Sequence, residues 1–100
     1  MKNVVIVVPD ETIRRLLEVQ LGLLGHRVTW SGAAPPSEKP AAAEVAVVDP
    51  GAPGALEFVR DGDVPFVFLS ALEPTRETRA LAPRAHLTMP YGLEELAAAL

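Results

Sequence analysis

The sequence predicts an α/β domain: a doubly wound, five-stranded parallel sheet in the order 2-1-3-4-5, with helices, several of them shortened, on both faces. Three observations carry this. Short continuous apolar runs such as "VVIVV" and "VPFVFLS" are what strands covered on both faces require. Between them lie segments whose apolar residues recur at three- and four-residue steps, the period of an amphipathic helix. The connections are too long for hairpins and therefore cross over, and right-handed crossovers leave few strand orders open.

Each element follows in turn. Residues 4–8 are β-branched throughout and stop at Pro9. Over residues 12–24 the spacing of Ile13, Leu16, Leu17, Leu21 and Leu24 predicts a helix. Asp10 or Thr12 can cap its start, and Gly25 can end it in the left-handed conformation. "HRVTW" is a more polar strand, expected at an edge. Pro35, Pro36 and Pro40 resist a helix interior, so any helix over residues 31–44 is short or missing. "EVAVVD" is the third strand, followed by turn formers and a short helix over "ALEFVRD". "VPFVFLS" is the fourth strand, and "EPTRETRALA" is a polar helix with Pro74 near its first turn. "AHLTM" and "GLEELAAAL" supply the last strand and the closing helix.

One hundred residues suit one domain with one core, here spanning 1–100. At 49% apolar and 22% charged, the chain can bury enough surface to fold. Without cysteine it has no disulfide, thiol nucleophile or thiolate metal site, and only His26 and His86 offer imidazole. A net charge of −4 with no basic cluster argues against nucleic-acid binding by this domain. Its apolar runs fall well short of the roughly 20 residues that cross a bilayer, and its N-terminus lacks a signal-peptide cleavage region. The expected location is the cytoplasm, with no membrane contact.

At the carboxyl ends of the strands, where ligands gather in such sheets, stand Val8, Pro9, Asp10, Asp49, Ser70, Ala71, Met89 and Pro90. These motifs resemble the receiver domain of response regulators, a flavodoxin-like fold used in two-component signalling. The echoes are "DETIRRLL", Asp49 with a proline four residues on, "VPFVFLSA" and "LTMPYGLEEL", and the resemblance runs from about Val4 to Leu100. It implies that Asp49 occupies the phosphoacceptor position of the phosphorelay, Ser70 that of the switch hydroxyl and His86 that of the aromatic switch residue.

The departures lie where the family's chemistry sits. Val8 and Pro9 stand where the resemblance places two carboxylates that hold magnesium, with Asp10 displaced by one, and Met89 stands where it places a lysine. Magnesium wants several oxygen ligands, and phosphoryl transfer wants cations on the equatorial oxygens. Weak magnesium binding would need Asp49 and Asp10 to cooperate. No cofactor, metal site or enzymatic activity is therefore expected. The predicted function is that of an atypical pseudo-receiver acting through protein–protein contacts; the alternative is a receiver still phosphorylated at Asp49 by a histidine kinase.

Each residue also has a plainer reading. Asp49 reads first as a strand-end acid closing an Asx turn, Asp10 as a helix cap, Ser70 as a turn closer and Met89 as packing filler. Trp30 either covers space left by a shortened second helix or anchors a partner. Arg76 and Arg79 form a solvated face, and with Trp30 and Tyr91 they are the candidates for a partner surface. The expected partner is a histidine kinase or an output protein, and a homodimer is a further candidate. A nucleotide- or flavin-binding role is disfavoured, because "VPDETIRR" has no glycine and places two acids at the helix start.

Overall fold

In the computed structural model, which describes residues 1–38, 40 and 42–100, strands β1 (Asn3–Val7), β2 (Arg27–Gly32), β3 (Val45–Val48), β4 (Phe66–Ser70) and β5 (Ala85–Thr88) alternate with helices α1 (Glu11–Leu23), α2 (Ala55–Asp61), α3 (Arg76–Ala80) and α4 (Leu93–Ala99). All neighbouring strands pair in parallel, in the order β2-β1-β3-β4-β5. The predicted class and strand order are those observed.

Side chains alternate across the sheet with the two-residue period of a strand. Val4 and Ile6 of β1, Val45 and Val47 of β3, and Val67 and Leu69 of β4 face a layer containing Leu17 and Leu21 of α1 and Leu96 of α4. Val5, Val7, Ala46, Val48, Phe66 and Phe68 face the other way, toward Ala55 and Val59 of α2. Leu17 and Leu21 are fully buried, each contributing about 1.5–3 kcal/mol relative to exposure. The strands read as unbroken apolar runs because both faces are covered.

Local chemistry sets the helix ends. The Asp10 side chain accepts a hydrogen bond from the Ile13 N–H at 3.1 Å, capping α1. At the other end Gly25 has φ +84, its N–H donates to the Gly22 carbonyl, and the His26 N–H donates to the Leu21 carbonyl at 2.9 Å. That pair is a Schellman motif, and the left-handed φ is why glycine stands there. The Thr75 hydroxyl accepts from the Thr78 N–H while Thr78 accepts from the Thr75 N–H, a capping box that starts α3.

Several expectations need correction. Leu16 does not join the core: it is half exposed, because α1 turns the Leu17–Leu21 side to the sheet and leaves Leu16, Val19 and Leu23 outside. Pro74 stands just before the cap residue Thr75, near the first turn as expected, but α3 is only five residues long, shorter than the predicted "EPTRETRALA". β2 runs two residues past Trp30. Among the described residues no helix lies between β2 and β3, in keeping with the prolines there; Lys39 and Ala41 of that stretch lie outside the described residues.

The β1–β2 register slips between Val4 and Val5, which pair with Val28 and Trp30 and leave Thr29 as an extra residue. A one-residue slip reverses every later side chain. It therefore puts Trp30 on the α2 side, where the ring packs against the second layer and lies over Gly32. A Cβ on Gly32 would collide with that ring. Trp30 is half-buried, on a face where, among the described residues, no helix lies between β2 and β3.

Candidate functional site

β1, β3, β4 and β5 bring the predicted residues together at the carboxyl edge of the sheet. Asp49 follows β3, and its N–H donates to the Val7 carbonyl at 2.8 Å, prolonging the β1–β3 ladder by one step. Its Oδ1 accepts from the Gly51 N–H at 2.8 Å, and its carbonyl accepts from the Ala52 N–H at 3.0 Å. This is an Asx turn, the local device by which a short acid bends the chain leaving a strand. A half-buried carboxylate thus sits at the strand end with one oxygen engaged.

Its neighbours are mostly apolar. Val8 is 2% exposed and packs in the α1–α4 layer. Pro9 and Asp10 are exposed, with an oxygen of Asp10 committed to the cap of α1. Ser70 ends β4, and its Oγ accepts from the Leu72 N–H at 3.0 Å. Met89 donates its N–H to the Ser70 carbonyl at 2.9 Å, while its side chain packs against the first layer. Among the described residues no three His, Asp or Glu side chains gather as metal ligands.

Two contacts escaped the sequence reading. The guanidinium of Arg14 donates to the Val8 carbonyl at 2.8 Å, so one cation reaches back from α1 to the end of β1. The Tyr91 hydroxyl donates to Gln20 Oε1 at 2.7 Å, tying the β5–α4 connection to α1, and burial raises its pKa above the ordinary tyrosine value. No sequence signal marked the first; for the second it was a lone glutamine at three- and four-residue steps from Leu16, Leu17, Leu23 and Leu24. Tyr91 is half-buried against the first layer, whereas Arg76 and Arg79 stand exposed on α3.

His86 pairs with Phe68 across β4 and β5, its ring edge-on to the phenyl at 6.0 Å. Both ring nitrogens are buried without a hydrogen-bond partner. Beside it a cleft of about 270 Å³ is bounded by Pro74, Arg79 and Pro83.

No family model and no curated protein sequence matches the chain. Solved structures do. The non-phosphorylated HemR receiver domain from Leptospira biflexa superposes with a TM-score of 0.77 over 99% of this chain and 90% of that one, at 23% identity. This chain has the receiver-domain fold. A response regulator receiver domain protein from Clostridium thermocellum gives a TM-score of 0.81 at 14% identity, covering 99% and 90% of the two chains. The receiver domain of sensor histidine kinase PA1611 from Pseudomonas aeruginosa PAO1, which holds a magnesium ion in its active-site cleft, gives 0.74 at 21% identity over 97% and 92%.

Within the receiver fold, the strand-end position of Asp49 is the one the resemblance assigns to the phosphoacceptor. Ser70 and His86 lie on the adjoining strands β4 and β5, and Val8 and Met89 flank the edge with apolar side chains. No helix of the described residues is long and apolar enough to cross a membrane.

Proposed function

We propose that this chain is an atypical receiver module of two-component signalling that passes its signal through protein contacts, without metal-dependent phosphorylation of Asp49. The observation that carries the reading is the setting of Asp49: one oxygen is held by the Gly51 amide, the second nearby acid, Asp10, caps α1, and Val8 and Met89 are apolar. Magnesium takes near-octahedral oxygen ligation, and this donor set does not fit it. Phosphorylation would also add close to two negative charges, and the contact seen for the Arg14 guanidinium is to the Val8 carbonyl, not to Asp49.

A protein-binding role is supported by the outer face of α1. Leu16, Val19 and Leu23 fall at three- and four-residue steps and are 51%, 62% and 73% exposed. Such a stripe fits a partner's apolar surface, whether a kinase, an output protein or a second copy. On this reading the chain is not an enzyme and works in the cytoplasm.

The second reading keeps Asp49 as a phosphoacceptor for a histidine kinase, and it rests on the carboxylate's place directly after β3. Incubation with acetyl phosphate and magnesium followed by intact mass spectrometry separates the two. The expected result is the unmodified mass. A stoichiometric phosphoryl adduct that disappears in Asp49→Asn would establish the second reading instead.

A further inference from the structure

At the amino edge of the sheet, opposite Asp49, one imidazole closes a corner made by three elements. The Lys2 N–H, at the entry to β1, donates to His26 Nδ1 at 3.0 Å. His26 follows the Schellman end of α1, where its own N–H donates to the Leu21 carbonyl, and it leads into β2 at Arg27. The Arg27 N–H donates to the Lys2 carbonyl at 2.9 Å, opening the β1–β2 pairing. Residue 2 is therefore held at both its N–H and its carbonyl.

This arrangement has one chemical requirement. Nδ1 accepts from an N–H only through its lone pair, so the ring must be neutral with its proton on Nε2. Protonation places an N–H on Nδ1, pointing at the Lys2 N–H. The hydrogen bond is then lost and two donors face each other.

The charges around the ring oppose its protonation. Among the described residues the Met1 and Lys2 ammonium groups act on it from β1, and the exposed Arg27 follows it in β2. The last turn of α1, residues 20–23, carries no charge. From the end of α4 the Leu100 carbonyl oxygen reaches this corner, where it accepts from the Lys2 ammonium. Ahead of β3, the Glu44 carboxylate accepts from the Asn3 N–H.

Burial first, then the amino terminus and Lys2, hold the His26 pKa below the ordinary histidine value. The folded chain thus gives up this proton more readily than the unfolded one. The stability the corner contributes is complete above the unfolded pKa, roughly 6.5, and is lost as pH falls through the lowered folded value.

We propose that His26 is a proton-operated latch: on acidification the ring releases the Lys2 N–H and the amino end of the β1–β2 pair opens, while the rest of the sheet stays closed. The second half follows from burial. Val4, Val5, Ile6, Val7 and Val8 are each at most 2% exposed, so the central strand is held by its core and not by this bond. The inference is independent of the state of Asp49. It gives the domain a response to protons at the edge remote from the strand-end acid.

Amide and histidine-ring NMR from pH 8 to pH 5, a window above the ordinary carboxylate range, tests it. The Lys2 and Arg27 amide shifts are expected to move with the His26 ring resonance at one midpoint, lower than the midpoint the ring shows in the urea-unfolded chain. His26→Asn offers a side-chain oxygen in place of Nδ1 with no proton to gain. Its Lys2 and Arg27 amides are expected to hold their positions across the window. From pH 8 to pH 5 the unfolding constant of the parent is expected to rise about two- to tenfold more than that of the Asn variant, the scale of one net hydrogen bond. The Val5, Ile6 and Val7 amides are expected to stay protected from exchange at pH 5. Lys2 and Arg27 amides that ignore the ring's titration, an Asn variant with the parent's pH response, a folded midpoint at or above the unfolded one, or loss of protection at Val5, Ile6 and Val7 would each overturn the proposal.

Discussion

Val8→Asp is expected to lower the unfolding free energy by about 3–5 kcal/mol, the cost of an uncompensated buried charge. Val8 is 2% exposed and packed among Ile6, Leu17 and Leu96, so the new carboxyl loses its water in an apolar layer, while the Arg14 guanidinium beside it is engaged with the Val8 backbone carbonyl. Burial disfavours the charged form and raises the group's folded pKa above its unfolded value. The folded variant then holds its proton to higher pH than the unfolded chain. Its stability is therefore expected to approach that of the parent as pH falls, and the penalty to be complete at neutral pH. Urea unfolding at pH 5 and pH 8 measures both. Magnesium is expected to restore nothing; a recovery of stability with magnesium would mean that this position faces a metal-competent hollow.

Phe68→Ala is expected to cost about 3–5 kcal/mol, a large share of the roughly 5–15 kcal/mol that holds a domain together. Phe68 is fully buried at the middle of the second layer, tilted against Phe66 at 5.1 Å and edge-on to His86 at 6.0 Å. Around it the second layer is covered by the short helix α2, by Trp30 and by Leu81 at the end of the five-residue α3, so little is available to collapse into the space. Phe68→Leu is expected to lose less than half as much. A loss below about 1 kcal/mol for the alanine variant would show that this layer repacks freely, contrary to the close packing of protein interiors.

Much of this was legible in the residues because the physics involved is local. β3 and β4 announced themselves as unbroken apolar runs, and α2 as a short stretch between turn formers. The Asp10 cap and the Asp49 turn each depend on a hydrogen bond spanning two or three residues, which a sequence displays directly. Leu16 misled because α1 has two apolar stripes, one inward through Leu17 and Leu21 and one outward through Val19 and Leu23. Periodicity alone does not say which meets the sheet.

Long-range features were not legible at all. The Thr29 bulge exists only in the register between β1 and β2, yet it decides which way Trp30 points. Arg14 carried no mark distinguishing it from Arg15, although one reaches the Val8 carbonyl and the other pairs with Glu11 at 2.8 Å on the surface. Pro35 approaches Gly54 at the start of α2, which follows a full strand later.

The central claim is that, among the described residues, the sheet's carboxyl edge does not gather the oxygen ligands that would let Asp49 carry a phosphoryl group with magnesium. Titration of the labelled chain with magnesium and beryllofluoride, read at the amides of Asp49, Gly51, Ser70 and Met89, tests it most directly. The account predicts no saturable shift at these four positions. A stoichiometric, saturable set of shifts there, lost in Asp49→Asn, would contradict it.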